Sequence, residues 1–440
     1  MRAIRHIRRL IDRQDGTMTV FGLFMFMVCC GIGGIALDLG NAIRLRTHLQ
    51  IAADSAAHAA LVARVTDNAT EAEAILEGIA VAARTLPGTT VTDIIRPEDF
   101  QFGIWDEATR TFTPVDGEDD AVLVDANRIA ARGNAIRTYL LRFLGPNDLD
   151  LRRVSVVATF IPTCFREGFV AESYVDMTSN SFYERGFCVH SNGHVAFNNN
   201  SVFQDGAIVS MPDRRDVVLP SAGMTSNEGL ADALRDGYYT IDVEARINNM
   251  VAALADPTSE LYPSFLTSNI PVTVSHNQAL DLDTWQEGRI HQITCNSSNQ
   301  SVRIPNNLVL RNGVILTNCE VSIGETSALE DAWIITTSTS VDSVGGAANI
   351  RFGLNDDCEP GGGVQVMTLG GVRTPNGLAL FGSRIAAVGP VKFTSDVGGL
   401  DGVSIISETS IDGTAGGHVG FCGEDGLPNL YDPEFFRIVL

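Results

Sequence analysis

Apolar and polar positions alternate with three different rhythms along this chain. Residues 17–37, TMTVFGLFMFMVCCGIGGIAL, form an apolar run with no charge at all. At 1.5 Å per helical residue such a run spans a hydrocarbon core of about 30 Å, so it predicts a membrane-spanning helix. Residues 38–64 continue without proline and are rich in helix formers. Within them Leu49, Ala53, Ala56, Ala60 and Ala63 recur at spacings of four and three. This narrow seam of small residues suits a close helix–helix contact, either with the chain's own next helix at 70–85 or with a partner helix. His58, beside the seam, reads as structural.

A mixed rhythm follows. Residues 100–105 and 111–115 read as a hairpin, 121–126 and 154–160 as further strands. Residues 134–144 place Ile136, Tyr139, Leu140, Phe143 and Leu144 at helical spacing, so a helix is expected there. From Cys295 onward, short β-branched runs alternate with Gly, Asn and Asp turns, and an earlier set lies at 187–209. Strands this short suit a sandwich, a barrel or a β-helix. Their grouping in twos and threes per twenty-odd residues favours a coil-stacking solenoid, a right-handed parallel β-helix. Helical patterns at 226–235 and 241–254 interrupt it.

The expected organisation is a basic tail at 1–16, a transmembrane helix at 17–37 and an extramembrane helical segment at 38–86. A small α+β domain at 87–162 comes next. The remainder, 163–440, is a parallel β-helix-like domain with a helical insert at 226–290.

Charge sharpens this picture. Arg2, Arg5, Arg8, Arg9 and Arg13 precede the apolar run, whereas the whole chain of 440 residues carries a net charge of −22. The positive-inside rule holds the tail in the cytoplasm and sends the acidic bulk across. A cleaved signal peptide is the rival, but its apolar region is shorter, about 7–15 residues. So acidic a body repels nucleic acid, which is excluded as a partner. Gly31, Gly33 and Gly34 give the span a small-residue face that another membrane helix could approach.

The run ending in ALDLG, followed by LRTHLQIAADSAAHAAL, resembles the N-terminal module of TadG-like proteins of the bacterial Tad (tight adherence) Flp pilus assembly apparatus. Residues 102–128, FGIWDEATRTFTPVDGEDDAVLVDANR, are similar to the strand region that follows in such proteins. The resemblance covers about residues 10–165. It implies an inner-membrane protein with its bulk in the periplasm, working with other pilus-assembly proteins or pilins, without catalysis. Two departures stand out. Pilin-like precursors of this apparatus are cut after a glycine with Glu at the fifth position beyond, but Phe21 stands five residues after Gly16. Larger TadG-like proteins resemble carriers of a von Willebrand A metal site, which Asp176 to Asn180 matches poorly.

The cysteines bear on compartment and fold together. Cys164, Cys188, Cys295, Cys319, Cys358 and Cys422 lie beyond the apolar run, and an even number in an exported region points to disulfides. Six cysteines allow fifteen pairings. The interval from Cys164 to Cys188 equals that from Cys295 to Cys319, 24 residues. If one coil has about that length, each pair stacks on neighbouring coils, leaving Cys358 with Cys422.

Catalytic candidates are few. Asn355-Asp356-Asp357 resembles the paired aspartates of polygalacturonase-like glycosidases, and Gly417-His418-Val419-Gly420 faintly resembles their Gly-His-Gly. The two motifs are sixty residues apart and lack the accompanying motifs. Adjacent aspartates on a strand also point to opposite faces. Asp281-Leu282-Asp283 lacks the glycine and glutamate of an EF-hand. No catalytic residue, cofactor or metal is therefore assigned. The expectation is a non-enzymatic anchor, scaffold or adaptor of pilus assembly, the alternative a polysaccharide-binding or polysaccharide-cleaving β-helix.

Overall fold

A computed structural model describes residues 17–440 apart from 68, 86–92, 144, 146, 179, 260, 298–299, 424–425 and 428–434. The expected basic tail, including Gly16, lies outside the described residues. The chain divides into two compact units, one of residues 1–160 with 434–440, the other of residues 161–433.

In the first unit the apolar run is helix α1, Thr17–Gly34. A π-helical turn, Ile35–Leu39, joins it without a break to helix α2, Gly40–Thr66. Helix α3, Glu71–Thr85, follows, with Thr70 and Glu73 forming a capping box at its start. A five-stranded antiparallel sheet completes the unit. Its order is Thr111–Pro114, Phe100–Asp106, Ala121–Arg128, Leu151–Phe160 and Phe435–Ile438. The last strand pairs Phe435 with Phe160, so the chain's end is a sheet edge here and not a solenoid coil. That corrects the expectation of a β-helix running to residue 440; the pairing partner is distant in sequence and leaves no local mark.

The alanine seam is filled within this unit. Ala52, Ala53, Ala56, Ala57 and Ala60 are wholly buried beside Ala74 and Ala82 of α3 and beside the sheet residues Phe100 and Val122. A Cβ at Gly78 of α3 would stand 2.7 Å from the Ala56 carbonyl oxygen, so glycine there permits the close approach. A partner helix does not find this seam open. His58 packs edge-on against Phe436, ring centroids 5.8 Å apart.

The second unit is a parallel β-solenoid of short strands. Each coil contributes strands to as many as three parallel sheets, with side chains from all three meeting in one long core. Tight turns use residues that tolerate the left-handed backbone: Asn200 and Asn307 have φ of 67° and 58°.

Coils do not stack in chain order. In the first sheet Gly168–Ala171 pairs with Cys188–Ser191, which pairs with Ile208–Met211, which pairs with Leu234–Asp236. The chain then crosses to the other end of the stack. It resumes at Val272–Ser275 and pairs successively through Arg289–Thr294, Val309–Thr317, Ala328–Thr336, Val364–Thr368 and Arg384–Ala387 to Ser404–Ser407. Ser404–Ser407 then pairs with Gly168–Ala171. The last coil thus lies on the first, and two runs of coils make one continuous stack.

The crossing segment, residues 237–271, travels back along the first sheet. Gly237 donates to the Met211 carbonyl. Tyr239 meets His190, ring centroids 4.5 Å apart. The Val243 amide donates to Glu408. Phe265 faces Trp333, and Thr267 donates to the Gly288 carbonyl. These contacts follow the spatial order of the coils. Strands of this sheet are accordingly buried on both faces: Gly168–Ala171, Cys188–Ser191, Arg384–Ala387 and Ser404–Ser407 have no exposed position. On the second sheet Tyr174–Met177 and His194–Phe197 alternate between core and half-buried outer positions.

The expected helix at 241–254 is Val243–Ala253, capped by Asp242 and burying Val243, Ile247, Met250 and Ala253. The helix expected at 226–235 is instead two single turns, Gly223–Ser226 and Leu230–Ala233, and the strand Leu234–Asp236. Register there is decided by the pairing of Leu234 with Val209.

Candidate functional site

Three elements meet at one end of the third sheet. The strand Ser181–Tyr183 runs into Glu184, and Gly417–Gly420 pairs beside it with His418 opposite Phe182. The long strand Val391–Asp401 ends with Asp401 opposite Gly420. His418 Nε2 lies 2.8 Å from Glu184 Oε1, and its ring stacks on Phe182 at 5.5 Å. The second Glu184 oxygen accepts from the Phe421 amide at 2.9 Å. A Cβ at Gly420 would stand 1.9 Å from Asp401 Oδ1, so only glycine leaves room for this carboxylate.

Burial pushes the Asp401 carboxyl up, and the charges of Glu184 and Asp357 push it further; His418 opposes them. Beneath lies Glu167, fully buried, accepting from the amides of Cys422 at 2.9 Å and Leu427 at 2.6 Å. Burial raises its pKa as well, against the pull of those two donors and of Arg384. Two carboxyls with raised pKa beside an imidazole–carboxylate pair are a donor and acceptor set suited to proton transfer.

The motifs around Asp357 and His418, far apart in sequence, therefore come to one place. Asp401 and Glu184 join them, and neither stands in a recognisable motif. Glu184 belongs to the first coil and His418 to the last, so their meeting depends on the docking of those coils. The backbone carbonyl of Asp356 accepts from the Glu359 amide in a turn. Asp357 and Cys358 have φ of 57° and 68°, the turn geometry that aims the pair.

Three cysteine pairs lie at disulfide distance: Cys164 with Cys188, Cys295 with Cys319, and Cys358 with Cys422, with Cα separations of 4.7, 5.4 and 5.8 Å. The equal intervals arise differently. Ile293 stands opposite Thr317, so the second interval is one coil. Gly168 stands opposite Cys188, a coil of twenty residues, and Cys164 lies in the entry turn before it. A uniform coil of 24 residues is thus corrected: loop insertions vary coil length while the paired strands stay in register. The sulfurs of Cys358 and Cys422 lie with an Asp401 oxygen inside 4.8 Å. Bonded to each other they offer no thiolate for a metal.

The other acidic candidates have structural work. Asp176 lies on the outer side of the second sheet opposite Asp412, where burial and that charge raise its pKa; Ser179, in the same motif, lies outside the described residues. Asp281 closes a turn, accepting from the amides of Asp283 and Thr284 at 3.1 Å. In the acidic run 116–120, Asp120 accepts from the Trp105 amide and the Thr159 hydroxyl. Glu330 is buried between Arg311 and Arg351. Lys392, the chain's one lysine, faces Asp412 at 3.5 Å.

Residues 16–70 match a family model described as Flp pilus-assembly TadE/G-like. This stretch holds α1, the π-helical turn and α2. Residues 168–423, nearly the whole solenoid, match the model described as Domain of unknown function (DUF7867). No curated protein matches the chain. The match over the solenoid spans more than half of the chain and shows that it belongs to the DUF7867 family, and the TadE/G-like match at its N-terminal helix supports a TadG-like Tad protein.

Proposed function

We propose that this protein is a non-enzymatic component of Tad/Flp pilus assembly, anchored in the bacterial inner membrane by α1, with its solenoid in the periplasm. The observation that carries this reading is the TadE/G-like match over the apolar helix and its continuation. Among the described residues one helix is apolar and long enough to span a bilayer, and its side chains from Met18 to Cys29 are exposed, which suits a lipid-facing anchor. The solenoid that follows it in the chain is parallel-stranded and continuous from end to end, its last coil docked on its first, which suits a scaffold or adaptor offering long sheet faces to other assembly proteins or pilins. Two experiments test it. Deleting the gene should abolish or reduce surface pili and adherence; normal pili would remove the role. Protease added to spheroplasts should digest the solenoid without lysis; digestion only after lysis would reverse the topology.

A second reading has one observation in its favour, the meeting of Glu184, Asp357, Asp401 and His418. An exported β-solenoid with converging carboxylates suits binding or cleavage of an envelope polysaccharide. Incubation of the purified protein with envelope glycans, assayed for new reducing ends, separates the two: release of reducing ends supports the enzyme and its absence the scaffold.

A further inference from the structure

The apolar spacing predicts a helix over 134–144; the structure instead builds a loop whose described residues hold only one 3-10 turn, Leu141–Phe143. A two-stranded ribbon, Ile136–Arg137 with Asp148–Leu149, holds its ends, and Thr138 donates to the Asn147 carbonyl to close it. At its tip the amides of Tyr139, Leu140 and Leu141 all donate to the buried Asp38 carboxylate, at 2.7, 2.9 and 2.7 Å. Asp38 sits in the π-helical turn between α1 and α2. One side chain thus satisfies three backbone donors at the entry to that turn, as backbone close to lipid requires.

The two leucines of the tip lie on glycines of α1. A Cβ at Gly33 would stand 3.1 Å from Leu140 Cδ1, and one at Gly34 would stand 2.9 Å from Leu141 Cδ2. The small-residue face read from the sequence as a surface for another membrane helix is therefore taken, at these two glycines, by the chain's own loop. Gly33 and Gly34 belong to the uncharged run, which ends at Leu37. At 1.5 Å per residue they lie about 5 Å inside its end.

Whatever packs there shares that depth. Yet Tyr139 and Phe143, on either side of the docked leucines, are 63% and 67% exposed. The Arg142 guanidinium lies over the Phe143 ring at 5.2 Å. Two outward aromatic rings with an arginine, held level with the end of a membrane span, match the chemistry of the headgroup–acyl boundary. There amphipathic rings are favoured and arginine reaches lipid phosphate.

We infer that the loop 138–143 is a second membrane contact, with Tyr139 and Phe143 seated in the lipid boundary where α1 leaves the bilayer. The contact would fix the tilt and rotation of the first unit on the membrane, which one helix alone leaves free. It rests on the reading of residues 17–37 as a membrane span. The test uses the full chain in vesicles of phosphatidylcholine and phosphatidylglycerol, with a tryptophan introduced as Phe143→Trp or, separately, Tyr139→Trp. Phe26→Trp, in the middle of α1, is the control. Emission of the unsubstituted protein is subtracted for Trp105, Trp285 and Trp333. The added emission of either loop variant should shift to the blue and lose intensity in vesicles brominated near the carbonyl end of the acyl chains. Loop emission that ignores bromine and is quenched by aqueous iodide, while Phe26→Trp is quenched by bromine deep in the chains, overturns the inference and leaves the span intact. Failure of the Phe26→Trp control as well overturns both.

Discussion

Ser404 stands beside Gly168 in parallel register, although they belong to the last and first complete coils of the solenoid. Through this pairing, and that of Ser410 with Tyr174 and Gly417 with Ser181, the final coil closes onto the beginning of the domain. The first coil has neighbours on both sides and no free edge, a state that blunts edge-to-edge association. Glu184 and His418 meet only because of it.

Ile405 is wholly buried in that closing coil, opposite Phe169. Ile405→Ala should cost about 2–5 kcal/mol, read from denaturant unfolding of the solubilised chain. A loss well below 1 kcal/mol would mean that the closing coil is not part of the cooperative unit.

Peptide mapping without reduction should recover three links: Cys164 with Cys188, Cys295 with Cys319, and Cys358 with Cys422. Cys29 and Cys30, in α1, should alkylate as free thiols. A Cys188–Cys295 link would contradict the stacking described above. Six free thiols would argue against an oxidising compartment.

Glu330 ties three coils, receiving Arg311 from one neighbour and Arg351 from the other. Burial raises its pKa, but hydrogen bonds from the two guanidinium groups outweigh this and the net shift is downward. A carboxyl lowered on folding stabilises above its unfolded pKa, near 4.5, and the contribution fades as pH falls through the folded value. Glu330→Ala should cost about 1–3 kcal/mol at neutral pH and little well below pH 4. An equal cost at both would assign the effect to packing alone.

His190 and His291 act in a higher window. Both are buried, and desolvation of the charged form lowers each to about 4 from 6.5. His190 lies between Ser210 Oγ at 2.7 Å and Asn192 Oδ1 at 3.0 Å, under Tyr239 of the crossing segment. Between pH 6.5 and 4 the unfolded chain takes up protons that the folded chain refuses, so stability falls as pH falls through that range. His190→Gln should flatten the fall in unfolding midpoint between those values, leaving the window below it to the carboxylates. An unchanged slope would sink this assignment.

Glu184→Gln and Asp401→Asn provide the functional counterpart. If the protein is a scaffold, a deletion strain carrying either variant should assemble pili as the unsubstituted gene does. Loss of pili with a stable, membrane-located variant would favour chemistry at this cluster.

Local pattern alone carried much of this fold. An uncharged run long enough for a bilayer needs no tertiary partner to be read, because the solvent it demands is written in its composition. Short β-branched strands between Asn and Gly turns declared the solenoid for a similar reason: each strand buries one face in a common core wherever its coil lies in the stack. The helix at 243–253 was legible from its apolar stripe. Other features depended on partners that sequence does not name. Residues 134–144 have a helical spacing, but Asp38 and the glycines of α1 offered their amides and leucines a better place. The alanine seam was read correctly as a contact surface, and only the tertiary structure assigned it to α3 and the sheet. Coil order was the least legible of all. Any parallel strand edge accepts another through the same backbone hydrogen bonds, so nothing local to Ser404 specifies Gly168. That choice, and with it the meeting of Glu184, Asp401 and His418, belongs to the continuous stack and the segment that runs back along it.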